Sequence, residues 1–373
     1  MKKKTVKVFA FSIVAILVTA LSVTAFALSA PAVQTDESSL ETVATAKEVR
    51  KNPYIVYDQP GKFMVSGHRA GGDLYPENTL MAIEECLEHA KPDAEVHYVV
   101  DVLEFDLHLT KDDELILLHD DNFDRTTDSV EVWGKEGVLP RDKTYAEIQE
   151  LNFGYWFPYE RGAAAIDESK RVYKDLDSAE NAAIAQKLRA VRLEDVFATT
   201  TAMGFTGNYI IEIKDSGTVG KRAADKLCSF MQQYDMFDRI VIGTFNGDIS
   251  DYLDNLNASI YDGRIIRSAG ILEVLKAFLS YLMNRELGNV KYSVLQIPYL
   301  SWFPFFGSKG FIKFAHKNNI ACQFWTVNEA SQMETLILNG ADCIMSDNPK
   351  TLYEVTLKVQ YAVETAMAQA AAV

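Results

Sequence analysis

Five side chains in this sequence have the types and spacing of a small catalytic set. Arg69 directly follows His68, one residue separates Glu104 from Asp106, and His119 comes shortly after. Imidazole titrates near neutral pH, so His68 and His119 can act as an acid–base pair. Strand side chains alternate, so an E-x-D triplet puts both carboxylates on one face. The stretch Ile211-Glu212-Ile213-Lys214 adds a third carboxylate. Three hard oxygen donors (Glu104, Asp106 and Glu212) suit Mg2+ or Ca2+ better than zinc. A divalent cation held there would neutralise phosphate charge and act as a Lewis acid. Arg69 and Lys214 would take the non-bridging phosphate oxygens. Singly, each has a plainer explanation. An E-x-D often marks a solvated face, and Glu212 with Lys214 can be a structural ion pair.

The elements that must position these residues follow a repeating pattern. Short β-rich runs at 63–67, 99–109, 209–213, 240–244, 259–262, 293–297, 320–326 and 342–346 alternate with amphipathic stretches such as 79–90, 219–234, 271–283 and 331–338. Such alternation predicts parallel strands with crossover helices, and eight strands predict an α/β fold, a (β/α)8 TIM barrel. Sites on that fold form at the C-terminal ends of strands. Residues 115–119 follow the second strand with only a turn-like Thr110-Lys111-Asp112-Asp113-Glu114 between. They are therefore read as the return strand of a hairpin. A two-residue turn at Asp112-Asp113 would set Asp106 opposite His119. Residues 121–190 break the alternation and read as an insertion, a lid or small subdomain. The barrel is assigned to 61–357 and a tail to 358–373.

Composition narrows the partners. The net charge of −15 argues against nucleic acid and against docking on anionic lipid through overall charge. Lys2, Lys3, Lys4 and Lys7 precede an apolar run over residues 8–28, with Ala25-Phe26-Ala27 as a small-x-small site. That describes a secretory signal peptide, but the run is also long enough for an uncleaved membrane anchor. Both readings of residues 1–30 place the rest, after a linker at 31–60, outside the cytoplasm, secreted or anchored in the cell membrane. Cys86, Cys228, Cys322 and Cys343 lack zinc spacing and lie in apolar segments. They read as buried hydrophobes, with Cys322–Cys343 the one disulfide to test.

The chain resembles the glycerophosphodiester phosphodiesterases. The resemblance rests on Gly67-His68-Arg69, Pro76-Glu77-Asn78-Thr79, Leu103-Glu104-Phe105-Asp106, Thr110-Lys111-Asp112-Asp113 and His119-Asp120. It continues through Arg125-Thr126-Thr127, Leu193-Glu194-Asp195-Val196, Ile211-Glu212-Ile213-Lys214, Trp325-Thr326-Val327-Asn328 and Ser346-Asp347-Asn348-Pro349. It implies a barrel enzyme that cleaves glycerophosphodiesters to glycerol 3-phosphate and an alcohol. It also implies a divalent metal on Glu104, Asp106 and Glu212, His68 and His119 as acid and base, and attack by the substrate's own glycerol hydroxyl to give a cyclic phosphate. Trp325 would wall the substrate pocket. The sequence departs from the family where Ala70 replaces the usual Gly after His-Arg, and where Asp112-Asp113 replaces Asp-Gly.

The aromatic stretch Pro298–Gly307 should lie near the mouth. It is either a packed loop or an exposed rim carrying Trp302 and Phe303, which would favour lipid-borne substrates. Two other readings stay open: a related barrel phospholipase (of the D type on lysophospholipid or sphingomyelin, or phosphatidylinositol-specific), and an anchored binding module without catalysis.

Overall fold

The computed structural model describes residues 51–56, 63–158 and 170–371. The residues read as a signal or anchor segment, and most of those read as a linker, lie outside the described residues. Among the described residues, no helix is long and apolar enough to cross a membrane.

Eight parallel strands form the barrel, in the order β6-β5-β4-β2-β1-β9-β8-β7. They are β1 (Met64–Gly67), β2 (Val102–Leu109), β4 (Asn208–Ile213), β5 (Ile240–Gly243), β6 (Ile266–Arg267), β7 (Val294–Pro298), β8 (Ala321–Trp325) and β9 (Cys343–Ser346). The sheet closes between β6 and β7. There Ser268 bridges to Val294, Ala269 N–H donates to Val294 O at 2.8 Å, and Ser293 N–H donates to Arg267 O at 3.1 Å. These contacts cover the edges of β6 and β7, which would otherwise stand open. The short strand β3 (Leu115–Leu117) stands outside the barrel, antiparallel to β2.

Strand alternation sorts the residues. Leu103, Phe105, Leu107, Ile211, Ile213 and Ile242 belong to the largest core cluster, which packs the strands against surrounding helices. The alternate positions face inward. Near the strand starts they are apolar: Met64, Val102, Ile210, Val241, Val294 and Cys343 share one cluster, and Tyr54, Ile55 and Val56 join it. One step further along the same strands they become Ser66, Glu104, Glu212, Gln296 and Gln323. The barrel thus has an apolar floor and a polar upper lumen.

Helix boundaries follow local chemistry. Thr79 caps α1 (Leu80–Glu88), its hydroxyl accepting from Ala82 N–H at 3.2 Å. Three sequence expectations need correction. Residues 259–262 are not a strand. Ser259 ends the helix Gly247–Ser259, Ile260 is exposed, and Asp262 and Gly263 take positive φ in a turn. The strand in that place is β6, Ile266–Arg267, whose charged residue breaks the apolar pattern of a strand. The hairpin turn has three residues rather than two. Asp113 adopts φ 64°, Thr110 pairs with Glu114, and Leu107 lies opposite Leu117. That register sets Leu118 against Asp106, with Leu118 N–H donating to Asp106 O at 3.1 Å. Cys322 and Cys343 are both free thiols. The register pairs Cys343 with Gln323, so Cys322 lies on the opposite face of the sheet.

In the insertion, Phe123, Ile148, Leu151 and Phe153 pack on Ile116 and Leu118 in a small core of their own. The last helix runs Pro349–Ala371, so the residues read as a tail from 358 continue it, and Val359 is still buried.

Arg267 is the buried charge that ties the closing seam. Its guanidinium donates to Asp254 at 2.6 and 2.9 Å and to Glu273 at 2.7 and 3.0 Å. Removing it leaves Asp254 buried with little compensation. Arg267→Ala is expected to cost about 3–5 kcal/mol of stability, measured from the shift in urea midpoint. A shift below 1 kcal/mol would show that the seam does not depend on this network.

Candidate active site

The mouth of the barrel is built from strand ends, and alternation decides which side chains meet there. On β2, Glu104 and Asp106 both point inward, 4% and 1% exposed. On β4, Glu212 lies directly beside Asp106 in register. Lys214 follows it, and its Nζ lies 3.0 Å from Glu212 Oε1 and 3.5 Å from Asp106 Oδ1. After β1 the backbone makes a tight turn with positive φ at Arg69, Ala70 and Gly71. Left-handed conformations at two non-glycine residues cost about 1–3 kcal/mol each. Ala70 stands at φ 59° where the resembled family has glycine, the residue that takes this conformation without strain. The turn aims Arg69 N–H at Glu104 Oε2, 2.7 Å away.

Both histidines are oriented by carboxylates. His68 Nδ1 lies 2.6 Å from Asp347 Oδ1, and Asn328 Nδ2 donates to the other Asp347 oxygen at 2.8 Å. This leaves His68 Nε2 facing the site, 3.4 Å from Thr326 Oγ1 and 3.9 Å from Glu104. His119 Nδ1 lies 2.6 Å from Asp120 Oδ1. His119 reaches Asp106 electrostatically although it is not the hairpin partner of Asp106. The strand ends at Leu117, Leu118 N–H still donates to Asp106 O, and the chain bends at His119.

A second layer of ion pairs lies beneath. Glu77 receives Arg69 Nη1 at 2.9 Å and Arg125 Nη1 at 3.0 Å, and Arg125 also binds Asp120. Asn78 Nδ2 donates to Asp106 Oδ2 at 3.0 Å. Arg69 is buried in this layer, with Nε 3.8 Å from Asp106 and without a hydrogen bond. Trp325 ends β8 half-buried, its ring 5.5 Å from that of Phe245. In the aromatic loop Trp302 is exposed, while Phe303 is half-buried and packs on Phe278. Both readings of that loop hold in part.

Charge explains the titration of the cluster. Burial would lift Asp106, but His119, Lys214 and Arg69 hold it below the usual carboxylate range. Burial, with Asp106 adding repulsion, pushes Glu104 and Glu212 up. Burial pulls the His68 imidazole down, but Asp347 and Glu104 outweigh it and hold it above its ordinary value. Burial and the neighbouring Arg69 and Lys214 push His119 down to about 4. A pair of unit charges 4 Å apart is worth about 4 kcal/mol in a partly buried site. Six carboxylates (Glu77, Glu104, Asp106, Asp120, Glu212 and Asp347) face three permanent cations (Arg69, Arg125 and Lys214). The lumen is short of positive charge. Its carboxylate oxygens are hard donors, of the kind that suits Ca2+ or Mg2+. Among the described residues no three ligand-type side chains converge on one point, and Lys214 fills the gap between Asp106 and Glu212.

Glu77, Asn78, Asp120, Arg125, Asn328 and Asp347 were not assigned roles from sequence. Their signal was there, in the Pro76-Glu77-Asn78-Thr79, His119-Asp120 and Ser346-Asp347-Asn348-Pro349 stretches.

The model of the glycerophosphoryl diester phosphodiesterase family matches residues 68–351. A glycerophosphodiester phosphodiesterase of Caldanaerobacter subterraneus is 27% identical, over 80% of this chain and 99% of its own length. One from Bacillus subtilis is 22% identical over 79% of this chain and 87% of its own. Among solved structures, an Oleispira antarctica phosphodiesterase in complex with the product sn-glycerol-3-phosphate aligns with TM-score 0.55 and 18% identity, covering 78% of this chain and 96% of that one.

Within the site, Glu77 joins two arginines and is itself 6% exposed. Glu77→Gln removes their shared countercharge and is expected to lower stability by on the order of 3 kcal/mol, read by urea denaturation. An unchanged midpoint would mean that Asp106 and Asp120 suffice.

Proposed function

This chain belongs to the glycerophosphoryl diester phosphodiesterase family, and from that premise we propose that it hydrolyses glycerophosphodiesters by paired histidine catalysis. The observation that carries the proposal is the pair of imidazoles, each held at Nδ1 by a carboxylate beside the buried acidic cluster. A carboxylate at Nδ1 fixes tautomer and ring orientation, which leaves Nε2 for proton transfer.

The chemistry follows from those positions. A hydroxyl of the glycerol moiety attacks phosphorus and gives its proton to one imidazole. The P–O bond to the alcohol breaks as the other imidazole protonates the leaving oxygen. Water then opens the cyclic phosphate with the two roles exchanged, yielding glycerol 3-phosphate. Lys214, raised in pKa because Asp106 and Glu212 outweigh its burial, stays cationic and can take a phosphate oxygen. Arg69 positions Glu104 through its backbone N–H and has one unsatisfied guanidinium N–H to offer. Trp325 and Phe245 offer apolar surface beside the mouth for the glycerol moiety or the alcohol. Glu104, Asp106 and Glu212 would hold a divalent cation, Ca2+ or Mg2+. When bound, it supplies charge neutralisation to the phosphate and the developing oxyanion.

His68→Ala and His119→Ala are each expected to lower kcat on glycerophosphocholine by about 10²–10⁴-fold with an unchanged near-UV circular dichroism spectrum. Near-normal turnover in either variant would refute the assignment. Treatment with EDTA should abolish turnover, and added Ca2+ or Mg2+ should restore it. Activity that survives exhaustive chelation would remove the cation from the proposal while leaving the histidines in place.

A further inference from the structure

The flank of the barrel after β6 and β7 differs from the rest of the molecule in two independent ways. The first is apolar exposure. The helix Ile271–Leu282 buries Ala277 and Phe278 against the barrel. On an adjoining face Leu272, Leu275, Leu279 and Leu282 recur every three to four residues, which aligns them along the helix. Leu272 and Leu282 are 62% and 52% exposed, and Leu275 and Leu279 are half-buried. The same Phe278 packs at 6.0 Å on Phe303 and at 5.3 Å on Phe311, which joins this helix to the aromatic loop and to the helix Lys309–Lys317. From that cluster Trp302 and Phe305 project outward, 56% and 59% exposed. Solvated leucine, tryptophan and phenylalanine in one connected region mark an interaction surface.

The second difference is charge. Residues 271–318 carry six basic side chains (Lys276, Arg285, Lys291, Lys309, Lys313 and Lys317) against two acidic ones, Glu273 and Glu286, in a chain of net charge −15. Glu273 is already engaged by Arg267. Lys309, Lys313 and Lys317 are spaced one helical turn apart and are exposed. Among the described residues neither they nor Lys276 form an ion pair. Overall acidity had argued against anionic lipid, but the helices Ile271–Leu282 and Lys309–Lys317, which pack together through Tyr281 and Phe311, carry an excess of basic side chains.

We propose that this flank docks the protein on an anionic lipid surface, with Trp302, Phe305 and the leucine stripe entering the interface and the lysines meeting the headgroups. A symmetric pairing of two copies through this flank would set lysine against lysine, whereas an anionic headgroup layer complements it. The chain also enters the fold beside this flank. Asn52 Nδ2 donates to Ser293 O at 2.7 Å and to Asn319 O at 3.0 Å, next to the end of the lysine helix. The aromatic loop follows β7 at the C-terminal ends of the strands, so docking would bring the mouth close to lipid-borne substrate.

All four native cysteines are buried, so Phe305→Cys in the full chain gives a single reactive site for an environment-sensitive fluorophore. Glu88→Cys, on α1 across the barrel, is the control. Vesicles of phosphatidylcholine with about 30 mol% phosphatidylglycerol should blue-shift the probe at 305 and leave that at 88 unchanged. Phosphatidylcholine alone should give a much weaker response. Reversing Lys276, Lys309, Lys313 and Lys317 to Glu should weaken the vesicle response at 305 at least about tenfold. No response at 305, equal responses to both vesicles, or a lipid-independent shift that grows with protein concentration would each overturn the proposal. The last would point to self-association. The probe reads docking and not turnover, so its failure is separable from failure of the catalytic reading.

Discussion

Asp106 is the charge on which the mouth depends. It is 1% exposed and ionised, a state that low-dielectric surroundings oppose. It persists because Asn78, Arg69, Lys214 and His119 all lie close, each from a different segment of the chain. Those neighbours are in turn held by Glu77, Glu212 and Asp120. A buried carboxylate that needs four partners fixes four segments relative to one another. The ends of β1, β2 and β4 and the start of the insertion are thereby locked into one constellation.

The same lumen keeps an imbalance. Its carboxylates outnumber its permanent cations, and Glu104 and Glu212 carry the consequence as raised affinity for protons. Both carboxylates are nonetheless engaged, Glu104 by the Arg69 N–H and Glu212 by Lys214, so the excess acidity is held in place within the lumen. The strained turn at Arg69 and Ala70 serves the same end. It sacrifices local backbone comfort to aim an amide at Glu104 and to set His68 beside Asp347.

Several features were readable before folding. The E-x-D on a strand fixed the facing of Glu104 and Asp106, because a period of two admits no other outcome. The hairpin after Leu109 was evident, but its register was not. Whether Asp112-Asp113 or Lys111–Asp113 forms the turn depends on Asp113 accepting a left-handed conformation, and aspartate permits either. His119 still lies close enough to act on the Asp106 carboxylate, although Leu118 is the hairpin neighbour of Asp106. The fifth barrel strand, β6, was not legible because its Arg267 is buried through ion pairs with residues on two helices, which no local pattern encodes.

The sequence by itself determined the order of strand and helix, the identity of the inward-facing acids and histidines, and the family. These are properties of periodicity and residue type, and they survive without coordinates. Only the tertiary structure decided which carboxylate serves which histidine, that Arg69 lies in a buried layer against Glu77, and that the helix Lys309–Lys317 packs beside the aromatic loop. The decisive one, His68 with Asp347, joins segments 279 residues apart. Its energy depends on burial and on the other charges within a few ångströms, quantities that exist only once the barrel has closed.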